Sequence, residues 1–350
     1  MTDLTRPCTV GVAMSGGVDS TVTAAILLEQ GFSVHGFFMK LPLPGLDEQI
    51  CKVQKAADRL NIPLHLVEME EEFKKRIIAY FTDSYCQGRT PNPCVVCNRE
   101  IKFGLLTEAM LAQGMDKAAT GHYAGIHQVD DINGTALLRR GKDPTKDQSY
   151  FLCRLSSQQL QHTLFPLADY CKKDIFLQAQ DFGFTQFGGD ESQDVCFLVH
   201  QNLAAFLSEQ GMKSMRGEIV TKDGRVLGSH QGSWKYTVGQ RRGLGIPDAT
   251  PWYVIGLDAK NNRVIIGKND ELFQRELLLS NMQWQLELPI PWQGKVQLRS
   301  RHQAAEAEVN PVENGNWRIR FQEPQRAVTP GQFAVLYQED MVVGSGIIQS

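Results

Sequence analysis

The sequence predicts an α/β protein in three parts: a Rossmann-like domain on a parallel sheet, a small central domain, and a C-terminal antiparallel β-barrel. Three observations predict it. Up to Gly121, short apolar runs alternate with stretches whose apolar residues recur at helical spacing, as in a parallel sheet covered by helices. A glycine-rich turn, Met14-Ser15-Gly16-Gly17-Val18-Asp19-Ser20, follows the first apolar run and opens a helical stretch. From Leu277 onward apolar and polar residues alternate every second position, the period of half-buried strands.

The elements follow in order. Residues 8–13 form the first strand and 21–30 an amphipathic helix, with further buried strands at 33–39 and 64–67. Helices are expected over 47–60, 71–85 and 103–113, and a short strand over 118–120 ends at Gly121 and His122. Strands 126–129 and 135–140 flank Asp131-Ile132-Asn133-Gly134, a hairpin signal. Helices 155–162 and 172–182 precede a linker-like stretch, 188–194, and a short helix over 202–210. Beyond a turn at Lys222-Asp223-Gly224, the last strands are expected at 295–301, 317–321, 332–337 and 341–348. The expected domains are 1–201 for nucleotide binding and catalysis, 202–274 for the central part, and 275–350 for the barrel.

Composition narrows the class. A chain of 350 residues exceeds one ordinary domain, and 42% hydrophobic with 21% charged residues is that of a globular protein. The net charge of −3 does not announce nucleic-acid binding, although a local basic strip can hold a folded RNA. Neither a signal-peptide core nor a membrane-length apolar run is present, so the expectation is cytoplasmic, with no membrane partner. In that compartment the eight cysteines are reduced thiols, candidates for catalysis or metal binding and not a disulfide framework.

The glycine turn gathers Ser15, Ser20 and backbone N–H groups at the positive end of a helix, where a phosphate would sit. No Gly-Lys-Ser/Thr follows, so it is not a kinase-type phosphate loop. A loop that holds phosphate without a lysine suits cleavage of ATP between its α and β phosphates. Asp19 is the acidic neighbour available to Mg²⁺, and it could equally cap the helix.

Residues 88–103 read GRTPNPCVVCNREIKF. Pro91 and Pro93 preclude a continuous helix, so Cys94 and Cys97 are expected on an ordered loop just before a helix. With Arg99 and Lys102 close, such a thiol should have a depressed pKa. A buried structural cysteine and half of a zinc site are the alternatives, but there is no second C-x-x-C to complete the latter. An iron–sulfur cluster on three cysteines is a further reading. Cys196, between Val195 and Phe197, looks like core by itself. Beside Cys97 it supplies the second thiol that sulfur transfer needs, one to carry the atom and one to release it. Cys8, Cys51, Cys86, Cys153 and Cys171 fit small buried hydrophobes.

The SGGVDS string resembles the signature of the PP-loop ATP pyrophosphatases. Taken in order with GRTPNPCVVCNREIKF, ATGHYA, KDQSYFL, SQDVCFL and YTVGQRRGLGI, it resembles the bacterial tRNA-specific 2-thiouridylase family over essentially the whole chain. The resemblance implies that the C2 oxygen of a wobble uridine is adenylated and replaced by sulfur from a cysteine persulfide. It puts Cys97 on the nucleophile and Cys196 on the persulfide carrier. It puts Ala13, Met14, Ser15, Gly16, Gly17, Val18, Asp19, Ser20, Met39 and Gly121 on the ATP site. Asn92, Pro93 and Cys94 fall on the loop that receives the base; His122, Lys146, Asp147, Gln148, Arg299, Ser300 and Gln332 fall on tRNA contacts. Implied cofactors are ATP and Mg²⁺, with no iron–sulfur cluster expected. Implied partners are a tRNA and a sulfur-donor protein such as a cysteine desulfurase or sulfur-relay protein.

Two departures stand out. Many members carry Asp where this chain has Cys94, so the proton-transfer role given to that Asp has no evident bearer here. Residues 41–48 are also shorter than usual and lack the Asn-Trp that follows Met-Lys elsewhere. Basic residues for RNA phosphates cluster at Arg139, Arg140, Lys142 and Lys146, and at Arg241, Arg242, Arg299 and Arg301. Rival readings are an amide-forming PP-loop synthetase, which would not need Cys97 or Cys196, and a non-catalytic RNA-binding or redox protein.

Overall fold

The computed structural model of the chain describes residues 7–129, 134–184, 195–199 and 201–349. The expected hairpin turn at Asp131, Ile132 and Asn133 and the linker over 188–194 lie outside them. By its internal contacts the chain divides into two units. One comprises Met1–Ile77, Cys94–Phe197 and Asp340–Val342, and the other Ile78–Pro93, Leu198–Glu339 and Val343–Ser350.

In the first unit β1 (Thr9–Ala13), α1 (Val18–Glu29), β2 (Ser33–Lys40), α2 (Leu46–Leu60) and β3 (Leu64–Glu68) alternate as expected. A helix α3 (Glu70–Phe73) and a π-helical stretch, Lys74–Ile78, follow, and α4 (Ala79–Cys86) after them is counted with the second unit. After the prolines come α5 (Pro93–Cys97), a second π-helical stretch (Asn98–Leu106), α6 (Thr107–Ala112) and β4 (Lys117–Thr120). The hairpin of β5 (Ala124–Gln128) and β6 (Ala136–Arg140) leads to α7 (Ser149–Leu152) and α8 (Ser157–Gln161). Then follow β7 (Thr163–Leu164), α9 (Lys172–Asp181) and a 3₁₀ turn, Cys196–Leu198.

The sheet order is β3-β2-β1-β4-β7, and every pairing is parallel. The chain leaves β1 toward β2 on one side and returns to β4 on the other, so the C-terminal ends of β1 and β4 flank a switch point. Ligands of open α/β sheets bind at such points. Val10, Val12, Val34 and Phe38 of the sheet close one core with Val22, Ile26 and Val53.

Two local expectations are corrected. The first helix is not amphipathic: it starts at Val18, and every residue from Ser20 to Leu27 is buried, because α1 is covered from more than one side. Cys94 and Cys97 do not lie on a loop. Pro93 occupies the first helical position, where its missing N–H is one of the donors a helix start leaves unpaired anyway, so the turn begins there.

The second unit holds α10 (Leu203–Glu209), whose N-cap Asn202 accepts from Ala205 N–H at 2.8 Å. A small sheet runs β10-β11-β8-β9, from β8 (Gly217–Thr221), β9 (Val226–His230), β10 (Tyr253–Asp258) and β11 (Arg263–Gly267). Its core is Ile219, Leu244, Val254, Val264 and Ile266. The barrel comprises β12 (Phe273–Trp284), β13 (Trp292–Gln297), β14 (Ala305–Pro311), β15 (Trp317–Arg326), β16 (Phe333–Gln338) and β17 (Met341–Ile348). They run in order β12-β15-β14-β13-β16-β17, and β12 pairs with β17 to close the ring. Alternate residues fill it, among them Leu277, Leu279, Val309, Ile319, Phe321, Ala334 and Leu336. This is the closed antiparallel barrel expected from the period-two pattern.

Candidate active site

The glycine turn after β1 is built to leave donors open. Gly16 sits at φ +76°, which favours glycine, and Gly17 is the N-cap of α1 with no side-chain acceptor to occupy the first-turn N–H groups. Ser20 is folded inward: its Oγ accepts from Ser15 N–H at 3.1 Å and donates to Gly17 O at 3.1 Å, with Ser15 Oγ 3.3 Å away. Thr21 Oγ1 also donates to Gly17 O at 3.0 Å. The loop is thus held by its own hydroxyls while the helix N-terminus faces out.

Gly121, at the end of β4, closes the other side. A Cβ there would stand 2.8 Å from the Asp19 carbonyl carbon and 3.0 Å from Ser20 N, so only glycine lets β4 come this close to the loop. Met14 is buried and bonds through its N–H to Phe37 O at 2.8 Å, while Met39 is half-buried near the end of β2.

Asp19 is not an open metal ligand. Both its oxygens accept from Lys172 Nζ at 2.7 Å, and Oδ1 also accepts from Tyr123 OH at 2.7 Å. The expected use of Asp19 toward Mg²⁺ therefore does not fit the arrangement, because a lysine already neutralises the carboxylate. Lys172 is 9% exposed and Asp19 31%. The sequence reading missed Lys172 and Tyr123: nothing local marks a lysine opening α9 as a partner of a loop at the start of α1. Losing one member of a partly buried pair strands the other charge. We expect Lys172→Met to lower stability by about 2 kcal/mol, a value discounted for the exposure of Asp19. Adding Asp19→Asn to it should recover part of that loss. A double-mutant cycle by denaturant unfolding measures the coupling, and strictly additive effects would contradict it.

The thiols lie in the same unit. Cys94 and Cys97 occupy one turn of α5, and Cys196 opens the 3₁₀ turn, which Phe197 anchors by packing edge-on against Phe73 with ring centroids 6.0 Å apart. The three are electrostatic neighbours: Cys97 feels Cys196 and Cys94, and Cys196 feels Cys94. Lys102, in the π-helical stretch, is the positive charge that acts on all three and on His122. A glutamine takes up carbonyls of that stretch: Gln159 Nε2 donates to the carbonyls of Arg99 at 2.7 Å and Phe103 at 3.0 Å. Asn98 Nδ2 donates to Phe151 O at 3.0 Å and holds the start of the same stretch.

The expected depression of the thiol pKa is overturned. Burial pushes the Cys97 thiol up to about 12 and outweighs Lys102, which acts in the opposite direction. Desolvation also raises Cys94, which is half-buried, and Cys196, whose sulfur is sheltered although the residue as a whole is exposed. Burial and Lys102 together hold His122 well below its ordinary value, so its imidazole is neutral, with Nδ1 2.7 Å from Thr120 Oγ1. Because the folded Cys97 titrates above its unfolded value near 9, its contribution to stability is complete below about pH 9 and is lost as pH rises through about 12. Alkylation of Cys97 in the free protein should be slow at neutral pH and rise about tenfold per pH unit to about pH 10. A plateau near neutrality, read by peptide mapping after iodoacetamide, would mean an ionised resting thiol.

The residues expected at tRNA are distributed between the two units. In the first, Asp147 binds its own segment, accepting from Arg140 Nη1 at 2.6 Å, Ser149 Oγ at 2.8 Å and Gly141 N–H at 3.1 Å. With its oxygens so engaged, Asp147 orders the 146–149 turn, and a direct contact through its carboxylate is not supported. Gln148 exchanges two 2.9 Å hydrogen bonds with the backbone of Tyr123, which ties this segment to the Asp19 partner, and Lys146 is half-buried beside it. In the second unit Gln332 Nε2 donates to Thr90 O at 2.9 Å and Pro91 O at 3.1 Å, fixing the chain just before Asn92 and Pro93. Arg299 Nη2 donates to the carbonyls of Arg326 and Ala327 at 2.9 and 2.8 Å, while Ser300, Arg301, Arg241 and Arg242 are exposed. Buried Leu244 pins the loop that carries the last two. Among the described residues no cluster of three or more His, Cys, Asp or Glu is arranged to hold a metal ion, and no helix is long and apolar enough to cross a membrane.

A phosphate-type loop at the switch point of a parallel sheet, in one unit with grouped thiols, defines the class of PP-loop α/β proteins. Models of a tRNA methyl transferase HUP domain, a tRNA methyl transferase PRC-barrel domain and an aminomethyltransferase beta-barrel domain match residues 8–200, 204–268 and 274–348. The chain is 48% identical to the tRNA-specific 2-thiouridylase of Desulfotalea psychrophila, over 97% of this chain and 98% of that protein. It is 42% identical to that of Trichlorobacter lovleyi, over 97% of each. The chain belongs to the tRNA-specific 2-thiouridylase family. Among solved structures, the U34-tRNA thiolase NcsA of Methanococcus maripaludis superposes with a TM-score of 0.35 at 16% identity, over 60% of this chain and 66% of that one.

Proposed function

We propose that the chain is a tRNA-uridine 2-sulfurtransferase: it activates the C2 oxygen of the wobble uridine with ATP and replaces it with sulfur, giving 2-thiouridine, AMP and diphosphate. The observation that carries the reading is the grouping of Cys97 and Cys196 around Lys102 in the unit that also holds the glycine turn. Its relatives are named 2-thiouridylases over their whole length, which supports the same reading.

Ala13 to Ser20, with Met39 and Gly121, would hold ATP, and the first-turn N–H groups of α1 would take the phosphates. Asp19 and Lys172 act as a neutral pair that sets the loop's position. Mg²⁺ would accompany ATP, but the Asp19 carboxylate does not fit as its ligand. The uridine leaves its stack to reach the site, as bases do in other base-modifying enzymes, and Asn92-Pro93-Cys94 would receive it. Cys196, loaded by a sulfur-donor protein, carries the persulfide. Cys97 attacks the inner sulfur, so the terminal sulfur departs to C2 and a Cys97–Cys196 disulfide remains. Lys102 draws the protonated thiols toward ionisation, the direction in which it acts on all three. His122, Lys146, Gln148, Arg299, Ser300 and Gln332 form or support the tRNA surface, over domains bounded at 201/202 and 274/275, in the cytoplasm.

The deciding experiment incubates the protein with ATP, Mg²⁺, sulfide and unmodified tRNA and analyses the nucleosides by mass spectrometry. 2-Thiouridine that depends on ATP is expected. Pyrophosphate release without sulfur incorporation would instead favour an adenylating enzyme of another kind.

A further inference from the structure

We propose that Cys94 is a third exchange thiol, which takes Cys97 out of the Cys97–Cys196 disulfide and returns Cys196 to its reduced form before an external reductant acts. The proposal rests on the sulfur-transfer reading above and extends it to the fate of the oxidised site.

Geometry carries it first. Cys94 and Cys97 stand three residues apart in the helix Pro93–Cys97, so their side chains project from one face, about 5–6 Å apart at Cβ. A disulfide needs about 3.8 Å there, so a modest adjustment of one helical turn closes the bridge. A neighbouring thiol that can form a local disulfide is suited to pass oxidation on. Cys196 interacts with Cys94 as well as with Cys97, so all three sulfurs share one environment.

The direction of exchange follows from position. Cys94 shares a helical turn with Cys97 and not with Cys196, so its attack falls on the Cys97 sulfur and Cys196 leaves as the thiolate. Cys94 gives up its proton and its sulfur bonds to Cys97 Sγ. The Cys97–Cys196 bond breaks with its electron pair going to Cys196, which takes up a proton. No electrons are gained or lost overall: the disulfide has moved. An external dithiol later supplies two electrons to the Cys94–Cys97 bond. Cys196 can meanwhile accept its next sulfur.

The test loads the full-length protein with sodium polysulfide, then adds ATP and unmodified tRNA with no reductant. Acid quenching, N-ethylmaleimide and peptide mapping follow. In the wild type the disulfide should lie within one peptide, Cys94 to Cys97, with Cys196 alkylated; in Cys94→Ser it should link Cys97 to Cys196. Wild-type protein oxidised by diamide alone should also favour the Cys94–Cys97 bond, a result that does not depend on the variant folding. A wild-type Cys97–Cys196 bond with Cys94 alkylated would overturn the proposal. So would stoichiometric iron bound by the three thiols in an anaerobic preparation. Sulfur incorporation with no disulfide in either protein would overturn the underlying reading of Cys97 along with it.

Discussion

Replacing Cys97 by serine should reduce 2-thiouridine formation by about a thousandfold or more, while ATP-dependent pyrophosphate release on tRNA persists. A serine hydroxyl cannot displace sulfur from a persulfide, so the reaction stops with sulfur still on Cys196. Cys196→Ser should fail earlier, since it offers no acceptor for the donor's sulfur. The two variants are therefore separated by one measurement, the protein-bound persulfide detected by mass spectrometry. It is expected in Cys97→Ser and absent from Cys196→Ser. Persulfide at the wild-type level in Cys196→Ser would remove that residue from the role. Serine is the conservative choice in each case: it keeps a small donor where the thiol was.

How much of this was legible beforehand depends on whether the signal was local. The parallel sheet was readable because β1 and β2 are short apolar runs, and the barrel because Leu277, Leu279, Ile319 and Phe321 alternate with polar neighbours. The glycine turn was readable because Gly16 and Gly17 answer a local backbone demand. The electrostatics were not. Arg99 and Lys102 beside Cys97 suggested an acidic thiol, but burial is set by residues far along the chain and outweighs one cation. Asp19 likewise looked free because its partners, Tyr123 and Lys172, come from β-strand and helix ends remote in sequence. The π-helical stretch was hidden for the same reason: its carbonyls are satisfied by Gln159, a residue in α8. What sequence conceals here is the set of long-range pairings that decide which charges are already spoken for.

Gly121→Ala should separate nucleotide use from tRNA binding more sharply than any change to a side chain. The added methyl would meet Asp19 C at 2.8 Å and both Asp19 O and Ser20 N at 3.0 Å, and these are backbone atoms with no rotamer to turn away. Either β4 or the loop must move. Ser20 is tied to Ser15 and Gly17, and Asp19 to Lys172 and Tyr123, so the loop would shift as a block together with the donors at the helix start. Overpacking of this kind costs about 1–3 kcal/mol in stability. A displacement approaching 1 Å at a phosphate site can lower turnover by about a hundredfold. We expect kcat/KM for ATP to fall by about ten- to a hundredfold, while the tRNA dissociation constant changes less than about twofold. His122, the next residue, could transmit part of the shift to Lys102 and the thiols, so persulfide loading of Cys196 should be followed in the same variant. Wild-type ATP kinetics in a folded Gly121→Ala protein would mean that the end of β4 does not border the nucleotide, and the assignment of the glycine turn to ATP would lose its second wall.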